Sequence, residues 1–327
     1  MKGLTDIEGI AVGHASDFEG VTGCTAILCG LQGAVAGVDV RGAAVGEREF
    51  ETLRLGHLVD RIHALVLAGG SAFGLEAATG VMRYLEERGI GFDTGVARVP
   101  IVPAAILFDL GIGNARCRPD AAMGYEAAQR ATSAAVEEGS VGAGTGATVG
   151  KLFGLKQATK GGVGSVSLEL AAGVKVSALA VVNAFGDVRD PATGAILAGA
   201  RLAENSPKFA DTVAQMKRGV VRKAFGLPAA VLSSTTLAVA ATNAAFDRAA
   251  ITKVAAMAQN GLARAIAPVH TMFDGDVVFA LSLGEKQADL NTVGTVAAEA
   301  VAAAIFRAVQ KARTLGGIPA LQNLKAC

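Results

Sequence analysis

The chain reads as one mixed α/β sandwich, and three observations predict it. Apolar residues make up 51% of the 327 positions and charged residues only 18%, so a large core is available. That apolar content is mostly Ala, Val and Leu, with 42 glycines, 5% aromatics and no Trp, which suits layers that approach closely. Strand-like and helix-like segments cluster without strict βαβ alternation, and no repeat or linker divides them.

Along the chain, residues 4–50 read as short strands joined by glycine turns, with 25–28 and 33–40 the clearest. A polar connection over 47–57 leads to the apolar strand 63–68 and the sharp turn 69–74. Leu75, Ala78, Val81, Met82 and Leu85 recur at helical spacing, so 75–88 is predicted helical. Pro100 and Pro103 keep 99–103 extended. A second helix is expected over 120–138, apolar on Ala121, Ala122, Ala128, Ala131 and Ala135. The glycine-rich stretch 142–151, the turn 160–165 and two strands, 166–170 and 176–183, follow. Residues 201–229, with Lys217, Arg218, Arg222 and Lys223, read as a mobile charged connection. Beyond it lie a strand over 237–242, a helix from its cap Asp247 to about 266, a turn over 271–276, a strand over 277–281 and an Ala-rich helix over 293–312.

Several functions are disfavoured. A net charge of +1 leaves no nucleic-acid footprint and no polybasic membrane patch. Gly or charge interrupts each apolar run before the length of a membrane span, and the first residues lack the apolar region of a signal peptide. Cys24, Cys29, Cys117 and Cys327 form no CxxC pair, as expected of thiols in a cytoplasmic protein. His14, His57, His63 and His270 show no metal-ligand spacing, so neither metal nor cofactor is expected. The stretch 142–151 approaches a phosphate loop, but Thr145 and Leu152 stand where Gly and Ser/Thr belong. The turn 69–74 fails as a nucleophile elbow because Phe73 takes the place of its last glycine.

The remaining candidates are a hydroxyl cluster, Ser233-Ser234-Thr235-Thr236, at the mouth of a buried strand, and Asp274-Gly275-Asp276. Two carboxylates two residues apart point the same way on extended backbone, ready to hold a cationic amine; a solvated Asp-Gly turn is the plainer reading. Lys160 before two glycines and Asn183 ending a strand each have an ordinary turn role as well. Thr235 suits the first position of a strand whatever else it does. Taken singly, the residues reach no further than an α/β protein with hydrolase potential.

Taken together, these segments resemble the DmpA/β-aminopeptidase family, which includes the nylon-oligomer hydrolase. The likeness runs through 9–14 and 20–25, 69–75, 99–110 (VPIVPAAILFDL), 139–151 (GSVGAGTGATVGK), 160–165, 234–244 (STTLAVAATNA) and 268–281, nearly the whole chain. It implies an αββα sandwich akin to N-terminal-nucleophile hydrolases. It further implies one hydrolase domain, 1–327, cut between Ser234 and Thr235 into chains 1–234 and 235–327, and a homotetramer of the paired chains. By resemblance Thr235 is the nucleophile, Lys160 and Asn183 are the active-site Lys and Asn, Asp274 and Asp276 are the paired acids, and Tyr125 is the counterpart of an active-site Tyr. Ser234 departs from the Asn or Gly usual before the nucleophile. The implied substrates are peptides or amides with a free amino end, including β- and ω-aminoacyl units such as 6-aminohexanoate oligomers. Two rivals stand beside this reading: an acyltransferase of the ornithine acetyltransferase kind, and an uncleaved binding protein.

Overall fold

A computed structural model describes residues 2–220 and 234–324. Two sheets stack face to face, and helices cover both outer faces. The first sheet contains β1 (Ala11–Asp17), β2 (Thr22–Leu28), β4 (Ala64–Ala68) and β5 (Ala104–Ile106), in the order β1-β2-β4-β5, with Glu47–Arg48 at the far edge. The second contains β3 (Ala34–Val40), β6 (Val163–Glu169), β7 (Lys175–Asn183), β8 (Thr235–Ala244) and β9 (Val277–Lys286), in the order β6-β7-β8-β9-β3, with Arg61–Ile62 beside β3. Helices α1 (Ala77–Glu86) and α2 (Ala121–Gln129) lie on the first sheet; α3 (Arg248–Ala265) and α4 (Leu290–Lys311) lie on the second. The expected αββα order is what the chain adopts.

Strand alternation explains the layers. In β8, Leu237, Val239 and Ala241 enter the core between the sheets, while Ala238, Ala240 and Ala244 face α3 and α4. Both faces are covered, so the strand reads as continuous apolarity rather than alternation. Small residues set the spacing of the helices. A Cβ on Gly80 would fall 1.8 Å from Ala121 O, and one on Gly124 would fall 1.9 Å from Ala77 O, so α1 and α2 touch through backbone. Asp247 caps its helix as predicted, accepting from Ala250 N at 2.8 Å, and Asp120 does the same for α2, accepting from Met123 N at 2.8 Å.

Four expectations change. The helix predicted over 120–138 stops at Gln129, because Thr132 exchanges two backbone hydrogen bonds with Val12 on the edge strand β1. That strand, Ala11–Asp17, falls among the short strands expected over 4–50. The turn 69–74 runs into a 3-10 turn, Ser71–Glu76, that feeds α1. Contrary to expectation, among the described residues one helix has the length and apolarity of a membrane span: α4, 22 residues long, with an 18-residue window at mean hydropathy 1.5. Its Ala, Val and Ile side chains are packed into the core under the second sheet. Within the predicted connection 201–229, Thr212–Lys217 is helical; residues 221–229, like Ser233 and Cys327, lie outside the described residues.

Candidate active site

Topology brings distant residues to one end of the second sheet. β7 runs antiparallel to β8 with Asn183 opposite Thr235, so the last residue of one strand faces the first of the next. β8 and β9 run parallel, joined by the α3 crossover, and therefore begin at the same end. Asp274-Gly275-Asp276, just before β9, thus lies alongside Ser234 and Thr235. Thr235, Asn183, Asp274 and Asp276 are all buried.

The Ser234–Thr235 peptide is held on several sides. Ser234 N donates to Phe273 O and Gly275 N donates to Ser234 O, each at 2.7 Å. Thr235 Oγ1 donates to the same Ser234 carbonyl at 2.6 Å. A hydroxyl therefore rests against a carbonyl that a backbone N–H already polarises. Gly275 has to be glycine there: a Cβ would sit 2.9 Å from Thr235 Oγ1 and 2.4 Å from Ala44 O.

The orientation of the Asn183 amide is fixed by its partners. Its Oδ1 accepts from Lys151 Nζ at 2.8 Å and from Thr148 N at 3.0 Å, so its nitrogen must point the other way. Nδ2 donates one hydrogen to Phe108 O at 3.1 Å, a carbonyl that follows the end of β5 in the opposite sheet. Lys151 also donates to Asn183 O at 2.6 Å and lies 3.5 Å from Ser234 Oγ.

The acids are anchored through donors. Asp276 Oδ1 accepts from Thr236 N at 2.7 Å, while its Oδ2 meets His270 N at 3.1 Å and His270 Nδ1 at 2.9 Å. Asp274 accepts from Phe185 N at 3.1 Å, Thr271 N at 3.0 Å and Thr271 Oγ1 at 2.6 Å. Burial, and then the neighbouring Asp276 charge, push the Asp274 carboxyl up to about 6. Among the described residues no three His, Cys, Asp or Glu side chains converge as metal ligands do.

Two predicted residues stand elsewhere. Lys160 is fully buried, but its ammonium donates to Thr145 O at 2.7 Å and makes no hydrogen bond with Thr235 or the acids. Burial pushes its pKa down to about 7, against the pull of the Asp109 charge. The lysine that reaches Asn183 and Ser234 is Lys151, the final residue of the glycine-rich stretch. The sequence reading weighed that stretch as a phosphate loop and gave its lysine no other role. Tyr125 lies on α2, where its hydroxyl donates to Glu87 at 2.6 Å and Arg83 stacks on its ring. It belongs to the outer helical layer, because the helix that carries it covers the first sheet rather than the strand ends. His270, read as a hydrogen-bonded structural residue, is bonded as expected, and its partner is Asp276.

The sequence model of peptidase family S58 matches residues 2–321. The chain belongs to this family. As an S58 peptidase it is a hydrolase of peptide or amide bonds. It is 41% identical to an uncharacterized aminopeptidase of Mycobacterium tuberculosis, over 99% of this chain and 98% of the relative. It is 31% identical to a 6-aminohexanoate-oligomer endohydrolase of Kocuria sp., over 86% of this chain and 74% of that relative. Among solved structures, the L-aminopeptidase D-Ala-esterase/amidase of Ochrobactrum anthropi, described as a variant of the Ntn hydrolase fold, superposes with a TM-score of 0.74 at 20% identity, covering 99% and 93% of the two chains. A Burkholderia sp. beta-aminopeptidase gives 0.72 at 21% identity over 99% and 92%. These two likenesses establish the shared fold.

Proposed function

We propose that this S58 chain is a self-processing N-terminal-threonine amidase. The observation that carries the reading is the Thr235 hydroxyl lying on the Ser234 carbonyl beneath the Gly275 N–H. In the first stage Thr235 Oγ1 adds to the Ser234 carbonyl carbon, with Gly275 N–H stabilising the oxygen as charge develops. The C–N bond breaks, the hydroxyl proton passes to the departing nitrogen, and an ester joins Ser234 to Thr235. Water hydrolyses the ester, leaving a carboxylate on Ser234 and a free α-amine on Thr235.

In the second stage that amine is the base for its own hydroxyl. An unperturbed α-amine titrates at ~7.7–8.0, already close to a useful value. Thr235 Oγ1 adds to a substrate amide, and the second N–H of Asn183 receives the oxyanion. The proton on the amine passes to the leaving nitrogen, and water releases the acid half from Thr235. Asp274 and Asp276 hold negative charge beside the ammonium, and Lys151 takes the lysine position first expected of Lys160.

Substrates on this reading are amides or peptides with a free amino end, including ω-aminoacyl amides. The names of the Mycobacterium and Kocuria relatives support that class. We further propose a cytoplasmic homotetramer of paired chains, an assembly supported by the family resemblance.

The test is intact mass and N-terminal sequencing of protein incubated after purification. A 93-residue fragment beginning at Thr235 is expected, and Thr235→Ala should stay whole. Active protein that remains one unbroken chain would sink the mechanism.

A further inference from the structure

Three stretches of the sequence have no part in the reaction above: the turn 69–74, the glycine-rich loop before Lys151, and the end of VPIVPAAILFDL. They converge on Asp109. This side chain is buried, with Oδ1 accepting from Gly70 N at 2.7 Å and Oδ2 accepting from Thr22 Oγ1 at 2.8 Å. A Cβ on Gly69 would fall 2.1 Å from Asp109 Oδ2, and one on Gly146 would fall 2.5 Å from it. The glycines of two loops are thus the space the carboxylate occupies. Its opposite charge is Lys160, which acts on it without direct contact.

Besides Lys151, which donates to Oδ1, two supports of the Asn183 amide lead back to these two residues. On the nitrogen side, Phe108 O accepts from Nδ2, and Phe108 is the neighbour of Asp109 in the chain. On the oxygen side, Thr148 N donates to Oδ1, and Thr148 pairs with Lys160 across a two-strand ladder. Neither charge touches Thr235.

We propose that Asp109 is a positioning residue for the Asn183 amide. By tying the backbone that follows β5 to Gly70 and Thr22, it sets the Phe108 carbonyl and with it the direction of the free Asn183 N–H. The proposal rests on the amidase reading, in which that N–H receives the oxyanion.

The test is a double-mutant cycle in matured enzyme, using the p-nitroanilides of L-alanine and 6-aminohexanoic acid. Asp109→Asn should lower kcat about 10-fold with KM within about 2-fold, the pattern of a displaced transition-state donor. In an Asn183→Ala background the same change should cost under about 2-fold, because the group it positions is gone. An unchanged kcat, or an equal loss in both backgrounds, overturns the assignment. If Asp109→Asn does not fold, Thr22→Val removes one of its two ties and should give about a 3-fold loss with the same non-additivity. Crystal structures of Thr235→Ala with and without Asp109→Asn provide a readout free of turnover. The Phe108–Asn183 bond should open beyond hydrogen-bond length in the double variant, and an unmoved amide overturns the proposal. A wild-type chain inactive on both amides and unable to cut itself would overturn the functional reading, and this inference with it.

Discussion

Gly275 shows how much a single residue settles. Its N–H reaches the Ser234 carbonyl, and its missing side chain leaves room for the Thr235 hydroxyl. Gly275→Ala should therefore slow self-cleavage at least about 10-fold, followed as loss of the full-length band on a denaturing gel. Burial and the nearby Asp276 charge make Asp274 a weaker acid than an ordinary aspartate. Its carboxyl titrates at about 6, so it takes a proton as pH falls through that value. Turnover by matured enzyme should fall on the acid side with an apparent pKa near about 6, read from kcat/KM against pH. Asp276→Asn in pre-cleaved enzyme should abolish turnover, and wild-type rates would remove Asp276 from the mechanism. The sequence brought Thr235, Asn183, Asp274 and Asp276 together because their segments are distinctive and ordered. Lys151 and Asp109 escaped for a physical reason. Their partners Ser234, Asn183 and Gly70 lie 83, 32 and 39 residues away, and no local periodicity carries such a contact.

At the level of elements, local chemistry was a good guide wherever it acted within a few residues. Asp247 at the head of α3 and the apolar run of β8 could be read directly. Asp247→Ala should cost about 1 kcal/mol of stability, measured from the urea midpoint, by leaving the Ala250 N–H uncapped. The end of α2 was not legible. Alanines at helical spacing continue past Gln129, but the strand edge at Val12 offers hydrogen bonds that outcompete another turn. Nor does any feature of β8 and β9 announce that they run parallel. That pairing follows from the α3 crossover, and it alone places Asp274 beside Ser234.

Across the whole molecule, the predicted cut falls inside a shared sheet. β8 and β9 would belong to the small chain, yet β8 pairs with β7 from Asn183–Thr235 to Val176–Thr242, and β9 pairs with β3 from Val277–Val40 to Ser282–Val35. The two pieces should co-migrate on size exclusion and separate only in denaturant. Light scattering on the same sample should give four paired chains; a single pair would refute the tetramer. The proposed break would thus be a nick rather than a separation. The short piece would be wedged between two strands of the long one, so expressed alone it would expose a bare flank on each side and be drawn toward aggregation. On this reading its shape would be acquired before the bond is cut and afterwards kept only by staying where it was made.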